Sequence, residues 1–275
     1  MKIITFDVEH GSSHLIRTPN DQVIMIDAGN TDTFSPALYI RNVWQITTVR
    51  WFTLTHHDAD HLSDIGNIAK YLEVQTLETP KVDVAQLNVL YNNVLSPALE
   101  EFLEFKKRFG RPVPEMGDPS YDWGGIQFAT FRNEYSDFEN PNINDLSVVT
   151  FAHFMGWTVI LPGDLEEPGW KKLLEKPEFR DWLKRVDIFI ASHHGRESGF
   201  CEEVFNYCSP KLVIMSDKSE VETSCPDDYR PYVQGLLVTN AAGETRKRFV
   251  LTTRTDGAIF INIDPEGRGY ISTSI

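Results

Sequence analysis

The stretch LTHHDADHLSD, residues 54–64, places three histidines and three aspartates directly behind an apolar run. Imidazole and carboxylate are the side chains that bind zinc, manganese and iron. Alternation along an extended segment aims His56, Asp58 and Asp60 to one side with His61 beside them, while His57 points elsewhere. Such a loop is suited to two cations. The rival reading takes His57 and His61 as a helical i, i+4 pair like the HExxH of zinc metalloproteases, with Asp in place of Glu. Asp-Ala-Asp is a poor helix interior, and VRWFTLT before it reads as a strand.

Two cations need more ligands than one loop supplies, and further candidates stand at other strand ends. If LSVVTFAHF and WTVILPG form a hairpin turning at Met155-Gly156, counting back brings Asp145 and Asp164 to the same open end. A carboxylate placed there can bridge two cations, and Asp164 is the candidate for that role. His193 ends the apolar run VDIFIAS, with His194 and Gly195 following. For Asp145, capping a loop is a serious competing role. Asp27, in IDAG, reads as a brace for its loop through backbone hydrogen bonds. His153 reads as a packed or edge residue. His10 and His14 have no partners in sequence, although Glu9-His10-Gly11 lies on an early turn able to approach a site.

The elements that must position these groups follow from periodicity. KIITFDV, SHLIRT and QVIMID alternate as a β meander with a turn at Pro19-Asn20-Asp21. VRWFTLT is a buried strand, and LSDIGNIAKYLE after the cluster has helical spacing, so the cluster sits on a strand-to-helix loop. Residues 83–109 read as helical, broken by Pro97 and stopped by Gly110, with a polar loop to about residue 125. IQFATF, the hairpin, VDIFIAS and KLVIMS are strands of a second half. The tail RKRFVLTTRTDGAIFINID closes with two strands around Asp256-Gly257. Two β-rich halves with helices outside indicate a layered α/β sandwich, with the whole chain, 1–275, as one domain.

Composition bounds the function. The chain has 275 residues, 41% of them hydrophobic, enough for a substantial core. Its apolar runs fall short of the roughly 18 residues a membrane helix requires. The N-terminus lacks the pattern of a signal peptide. Three cysteines without CxxC spacing argue against a disulfide framework or a thiolate cage, and a reducing cytoplasm is expected. A formal net charge of -14 weighs mildly against nucleic acid except where cations are grouped, as at Lys106, Lys107, Arg108 and Arg111, or at Arg246, Lys247 and Arg248. Each grouping reads first as a solvated face.

In order, IDAG, THHDADH, a lone acid, PGD and SHHG resemble the metallo-β-lactamase superfamily over nearly the whole chain. The resemblance implies a four-layer αββα sandwich with a metal site along the edge between two sheets. Most members carry HxHxDH; here the second histidine is Asp58, a variant typical of the hydrolase domain of ComEC-like DNA-uptake proteins. DVEHGSSHLIRTPNDQVIMIDAG, NDLSVV, LPGD and SHHGRES resemble further segments of that branch. By this resemblance His56 and Asp58 hold one metal, Asp60 and His61 the other, Asp164 bridges, His193 completes the second site and Asp145 lies at the first. The chain departs from the pattern at Gly11-Ser12, where the family has Gly-Asp, and at Cys225-Pro226, where it often has a histidine before proline. The membrane channel of the DNA-uptake proteins is absent.

The expected activity is hydrolysis of a phosphodiester, DNA above all, by two divalent ions. Asp58 adds hard oxygen, which favours manganese, with zinc or magnesium as alternatives. Asp60 and His194 are the expected catalytic residues, His194 contacting phosphate or protonating the leaving group. Two rivals stand: hydrolysis of a small ester, lactone, thioester or cyclic nucleotide, favoured by the acidic charge, and a non-catalytic interaction subunit.

Overall fold

The computed structural model describes residues 1–111, 113–218 and 224–275. Nine strands form the first sheet, in the order Thr245–Arg248, Leu236–Thr239, Gly269–Thr273, Ile259–Ile263, Lys2–Thr5, His14–Arg17, Val23–Ile26, Trp51–Thr53 and Leu77–Glu78. Six strands form the second: Val250–Thr252, Leu212–Met215, Ile188–Ile190, Trp157–Leu161, Val149–Phe154 and Gln127–Phe131. A third pairing, Thr48–Val49 with Glu73–Val74, is short.

Strand periodicity sorts the apolar residues into layers, because successive side chains point to opposite faces. Ile3, Ile16, Ile24 and Trp51 face the second sheet and pack with Phe128, Val159, Ile188 and Ile214. Their neighbours Ile4, Leu15, Met25 and Phe52 face outward and are covered by the helices Pro36–Asn42, Ile65–Tyr71 and Pro97–Lys106. On the far side, Phe151, Ile160 and Phe189 are covered by the helices Glu167–Leu174 and Pro177–Leu183. The four layers are helix, sheet, sheet, helix.

The expected hairpin forms, with Trp157 opposite Phe154 and Leu161 opposite Thr150. Its turn residues Met155 and Gly156 have φ of 48° and 81°, the left-handed pair that suits the twist of a two-residue hairpin. Pro97 does not interrupt a helix. It opens one, behind the N-cap Ser96, while a separate helix, Val84–Leu90, precedes it. Of the polar loop that follows, Pro112 lies outside the described residues. The two tail strands Val250–Thr252 and Ile259–Ile263 lie in different sheets, joined by the short helix Thr253–Asp256.

At one edge of the sandwich, parallel strands of both sheets end together. Val23–Ile26, Trp51–Thr53 and Leu77–Glu78 run parallel in the first sheet. Trp157–Leu161, Ile188–Ile190 and Leu212–Met215 do so in the second. The carboxyl ends of parallel strands are where open α/β sheets present ligand sites. Val148 N–H donates to the Thr55 carbonyl at 2.9 Å, tying the two sheets at this edge.

Candidate metal centre

The loop after Trp51–Thr53 stays extended through Asp58 (φ −70°, ψ 149°) and makes one turn of 3₁₀ helix at Ala59–His61. That geometry excludes the HExxH-like pair. It also divides the ligand-type residues into two groups that share Asp164. In the first, His56 Nε2 lies 3.5 Å from Asp58 Oδ2 and 3.9 Å from Asp164 Oδ2. In the second, His61 Nε2 is 3.2 Å from Asp164 Oδ1, and His194 Nε2 is 3.3 Å from Asp60 Oδ2 and 3.2 Å from Asp164 Oδ2. His56, His61 and Asp164 converge closely enough to share one ion, as do Asp60, His61 and His194.

Each group is held from behind. Asp27 (φ 61°) accepts from Thr55 N–H at 2.8 Å and sits 2.8 Å from His61 Nδ1, so it braces the loop, as its position at a strand end indicates, and also turns Nε2 of His61 inward. The Ser216 carbonyl, 3.1 Å from His194 Nδ1, does the same for that ring. His56 Nε2 is fully buried with no hydrogen-bond partner. An orphaned imidazole nitrogen aimed at two carboxylates is what a cation ligand looks like without its ion, so the donor set fits divalent metal.

The electrostatics agree. Burial opposes charge on His61, yet Asp164 and Asp27 raise its pKa well above the ordinary value. Burial likewise disfavours charge on His194, but Asp164 and the hydrogen bond to Asp60 lift it to about 9. Burial would raise Asp164, and the facing imidazoles hold it well below the usual carboxylate range. The carboxylates thus draw positive charge into the centre.

Not every residue singled out from the sequence joins. Asp145 is at the same hairpin end as Asp164, but its Oδ1 accepts from Gly169 N–H at 2.9 Å, in the first turn of Glu167–Leu174. It caps a helix, and burial pushes its pKa up to about 6. His193 and His194 stand in roles opposite to those expected: His194 belongs to the group around Asp60, whereas His193 Nε2 is 3.8 Å from Asp164 and its Nδ1 faces Ser198 Oγ at 2.8 Å and Glu166 Oε1 at 3.1 Å. The reason lies in the backbone, since both residues adopt left-handed φ, 49° and 57°. Asp64, third aspartate of the cluster, accepts from Ala37 N–H and Ser35 Oγ and fastens the helix Pro36–Asn42. His57 is buried against Phe102 and bonds Thr79 Oγ1 at 3.2 Å. His153 bonds Thr158 Oγ1 at 2.9 Å, as a packed edge residue would.

Three residues at the site carry little signal in sequence. Tyr91 donates to Asp58 Oδ1 at 2.8 Å from the end of a helix. His10, on its early turn, places its ring 5.1 Å from that of His194, tilted by 32°. Arg196 donates to His10 Nε2 at 2.7 Å and His193 Nε2 at 3.3 Å. Among the described residues no carboxylate pairs with Arg196, and its Nε is buried without a partner. Cys225, where the family often has histidine, gives its thiol to the Gly195 carbonyl at 3.1 Å, and burial with Asp228 pushes its pKa up to about 12.

Residues 6–191 match the metallo-beta-lactamase superfamily, well over half of the chain. The chain belongs to that superfamily. Its members are mainly metal-dependent hydrolases. Among solved structures, the CmlA beta-hydroxylase E377D mutant is similar in fold at 11% identity and TM-score 0.52, covering 91% of this chain and 52% of that one. A diphosphatase from the PhnP family is similar at 9% identity and TM-score 0.50, covering 96% and 98%. A metal-dependent hydrolase from Parabacteroides distasonis shows 14% identity and TM-score 0.45 over 91% and 92%. No curated protein sequence matches the chain. Among the described residues no helix is long and apolar enough to cross a membrane.

Proposed function

We propose that this member of the metallo-beta-lactamase superfamily is a manganese-dependent phosphodiesterase that cleaves DNA. What carries the reading is the pair of imidazole–carboxylate groups joined through Asp164, with a guanidinium beside them that no described carboxylate pairs. In this reading His56, Asp58 and Asp164 hold one ion, and Asp60, His61, His194 and Asp164 the other. Two such ions, when bound, lower the pKa of a water and stabilise the entering and leaving oxygens of a phosphodiester.

The chain's own residues supply orientation and charge. Asp27 and the Ser216 carbonyl fix the tautomers of His61 and His194. Arg196, which pairs with no carboxylate among the described residues, can exchange its imidazole contacts for two non-bridging phosphate oxygens, the bidentate geometry that guanidinium favours. Burial and the His194 charge lower the pKa of His10, so its ring stays neutral and can accept from Arg196 while the guanidinium waits for substrate. Asp58 in place of imidazole supports the choice of manganese over zinc. The likeness of NDLSVV, LPGD and SHHG to the DNA-uptake branch supports DNA as substrate. Three free cysteines, two of them buried, accord with a cytoplasmic setting.

The test measures manganese content and cleavage of linear and single-stranded DNA together. Asp164→Asn is expected to lose bound metal and at least about a hundredfold in activity, whereas Asp145→Asn keeps both. Undiminished cleavage by Asp60→Ala and His61→Ala proteins would overturn the reading. Cleavage whose substrate affinity ignores salt would favour the small-ester alternative.

A further inference from the structure

Beyond the edge strand Leu77–Glu78 the surface opens into a cavity of about 620 Å³ lined by Lys81, Lys106, Arg111 and Arg132. A second cavity of about 670 Å³ shares Leu77, Phe109 and Arg111 with it and adds Arg108 and Tyr121. The two form one groove with five cations along its length, on a chain whose formal net charge is -14.

Carboxylates neutralise two of these five cations, Lys81 and Arg132, and leave the others. Glu78 is buried and taken up by Trp51 Nε1, Thr53 Oγ1 and Arg132. Asp83 caps the helix Val84–Leu90 through Gln86 N–H at 2.8 Å. Lys81 has a partner across the rim, Glu134 at 3.2 Å, and Arg132 is pinned by Glu78 and the Thr79 carbonyl. Among the described residues, Lys106 and Arg111 pair with no carboxylate. Lys106 is partly buried as well, which lowers its pKa through desolvation alone. An unpaired ammonium held half out of water inside a cavity is costly unless an anion visits it.

None of the candidate metal ligands lines the groove, but its inner wall meets the back of the metal loop. Thr79, on its wall, bonds His57, whose chain neighbours are His56 and Asp58. The strand it follows is paired with Trp51–Thr53, one strand spacing of about 4.8 Å away, and the two loops leave the same ends of those strands. Phe109 lines both cavities, a ring on which a base can stack, while the Tyr121 ring farther out is already stacked on Trp123. Cations spread along a path with an aromatic ring among them suit a chain of phosphates better than one compact anion.

We propose that this groove is the track for a single-stranded polynucleotide whose scissile phosphate lies at the Asp164 centre. The assignment rests on the phosphodiesterase reading and names the form of its substrate. Binding is measured by fluorescence anisotropy with the whole protein in EDTA, which blocks cleavage, using a labelled twelve-residue oligothymidylate. Lys106→Gln/Arg111→Gln protein should bind about tenfold more weakly at 0.1 M salt. The slope of log affinity against log salt should fall by about 1.4, since each lost phosphate contact removes about 0.7. Arg111→Glu, at an exposed position, should show the same direction of change.

Unchanged affinity and slope in these variants would overturn the track, as would equal competition by polyglutamate of matched charge. Hydrolysis of bis(p-nitrophenyl) phosphate with manganese separates the two readings, because that substrate is too short to enter the groove. Wild-type and variant proteins should hydrolyse it equally. No hydrolysis by either would remove the phosphodiesterase reading, and equal hydrolysis with undiminished oligonucleotide binding would remove the track alone.

Discussion

Asp164 and Asp27 show how differently two buried aspartates can be used. Asp164 faces four imidazoles within 4 Å and, among the described residues, accepts from no backbone donor, so it is built to meet positive charge. Asp27 is satisfied by Thr55 and acts on the centre only through His61 Nδ1. Asp27→Asn should leave the fold intact but weaken metal affinity by about 10- to 100-fold, because an amide can present its N–H to the ring and favour the wrong tautomer. Isothermal titration with manganese checks this; an unchanged affinity would make Asp27 a loop brace only. The residues of the loop were legible in sequence because ligand chemistry restricts which side chains crowd together. His193 and His194 could not be told apart, since both project from left-handed backbone that alternation does not describe. Asp145 was brought by register to the correct strand end, but register says nothing of where a χ angle points its carboxylate.

Around the metal loop, glycines set how closely the neighbouring turns approach. A Cβ on Gly29 would stand 2.6 Å from the Asp60 carbonyl oxygen and 2.8 Å from Ser12 N, and one on Gly11 would stand 2.7 Å from the same carbonyl. Both atoms are backbone, so the loop carrying Asp60 must shift if either glycine gains a side chain. Gly29→Ala is expected to lower activity by at least about tenfold through displaced ligands, since misplacement by 1 Å costs on the order of 100-fold. The same protein should retain its far-ultraviolet circular dichroism. Strands and the Met155-Gly156 hairpin were readable because period-2 burial and a two-residue turn are local signals. The helix Pro36–Asn42 was not read, although Ser35 caps it and Pro36 opens it, because seven residues give periodicity too little length. Leu77–Glu78 escaped for the same reason: two residues carry no alternation, and only the neighbouring strand makes them an edge.

For the molecule as a whole, buried histidines make stability depend on pH. His14 bonds Thr5 Oγ1 and Ser12 Oγ between the early strands, and burial holds its pKa at about 4 against 6.5 in an unfolded chain. Because the unfolded state takes up the proton first, stability is fully present above pH 6.5 and declines as pH falls toward 4, by about 3 kcal/mol from this group. Urea unfolding at pH 7 and pH 4.5 should show a smaller loss for His14→Gln than for the natural chain; equal losses would assign the acid sensitivity elsewhere. The layered architecture was legible from two β-rich halves, while the exchange of the tail between sheets was not, since it depends on the bend at Thr253–Asp256. His56 and His61 come from one sheet of the sandwich, Asp164 and His194 from the other. A bound ion would therefore act as a rivet through both slabs: the atoms that perform the reaction would also keep the halves from parting, and a chain that lost its ions would loosen along the same seam where it had lost its chemistry.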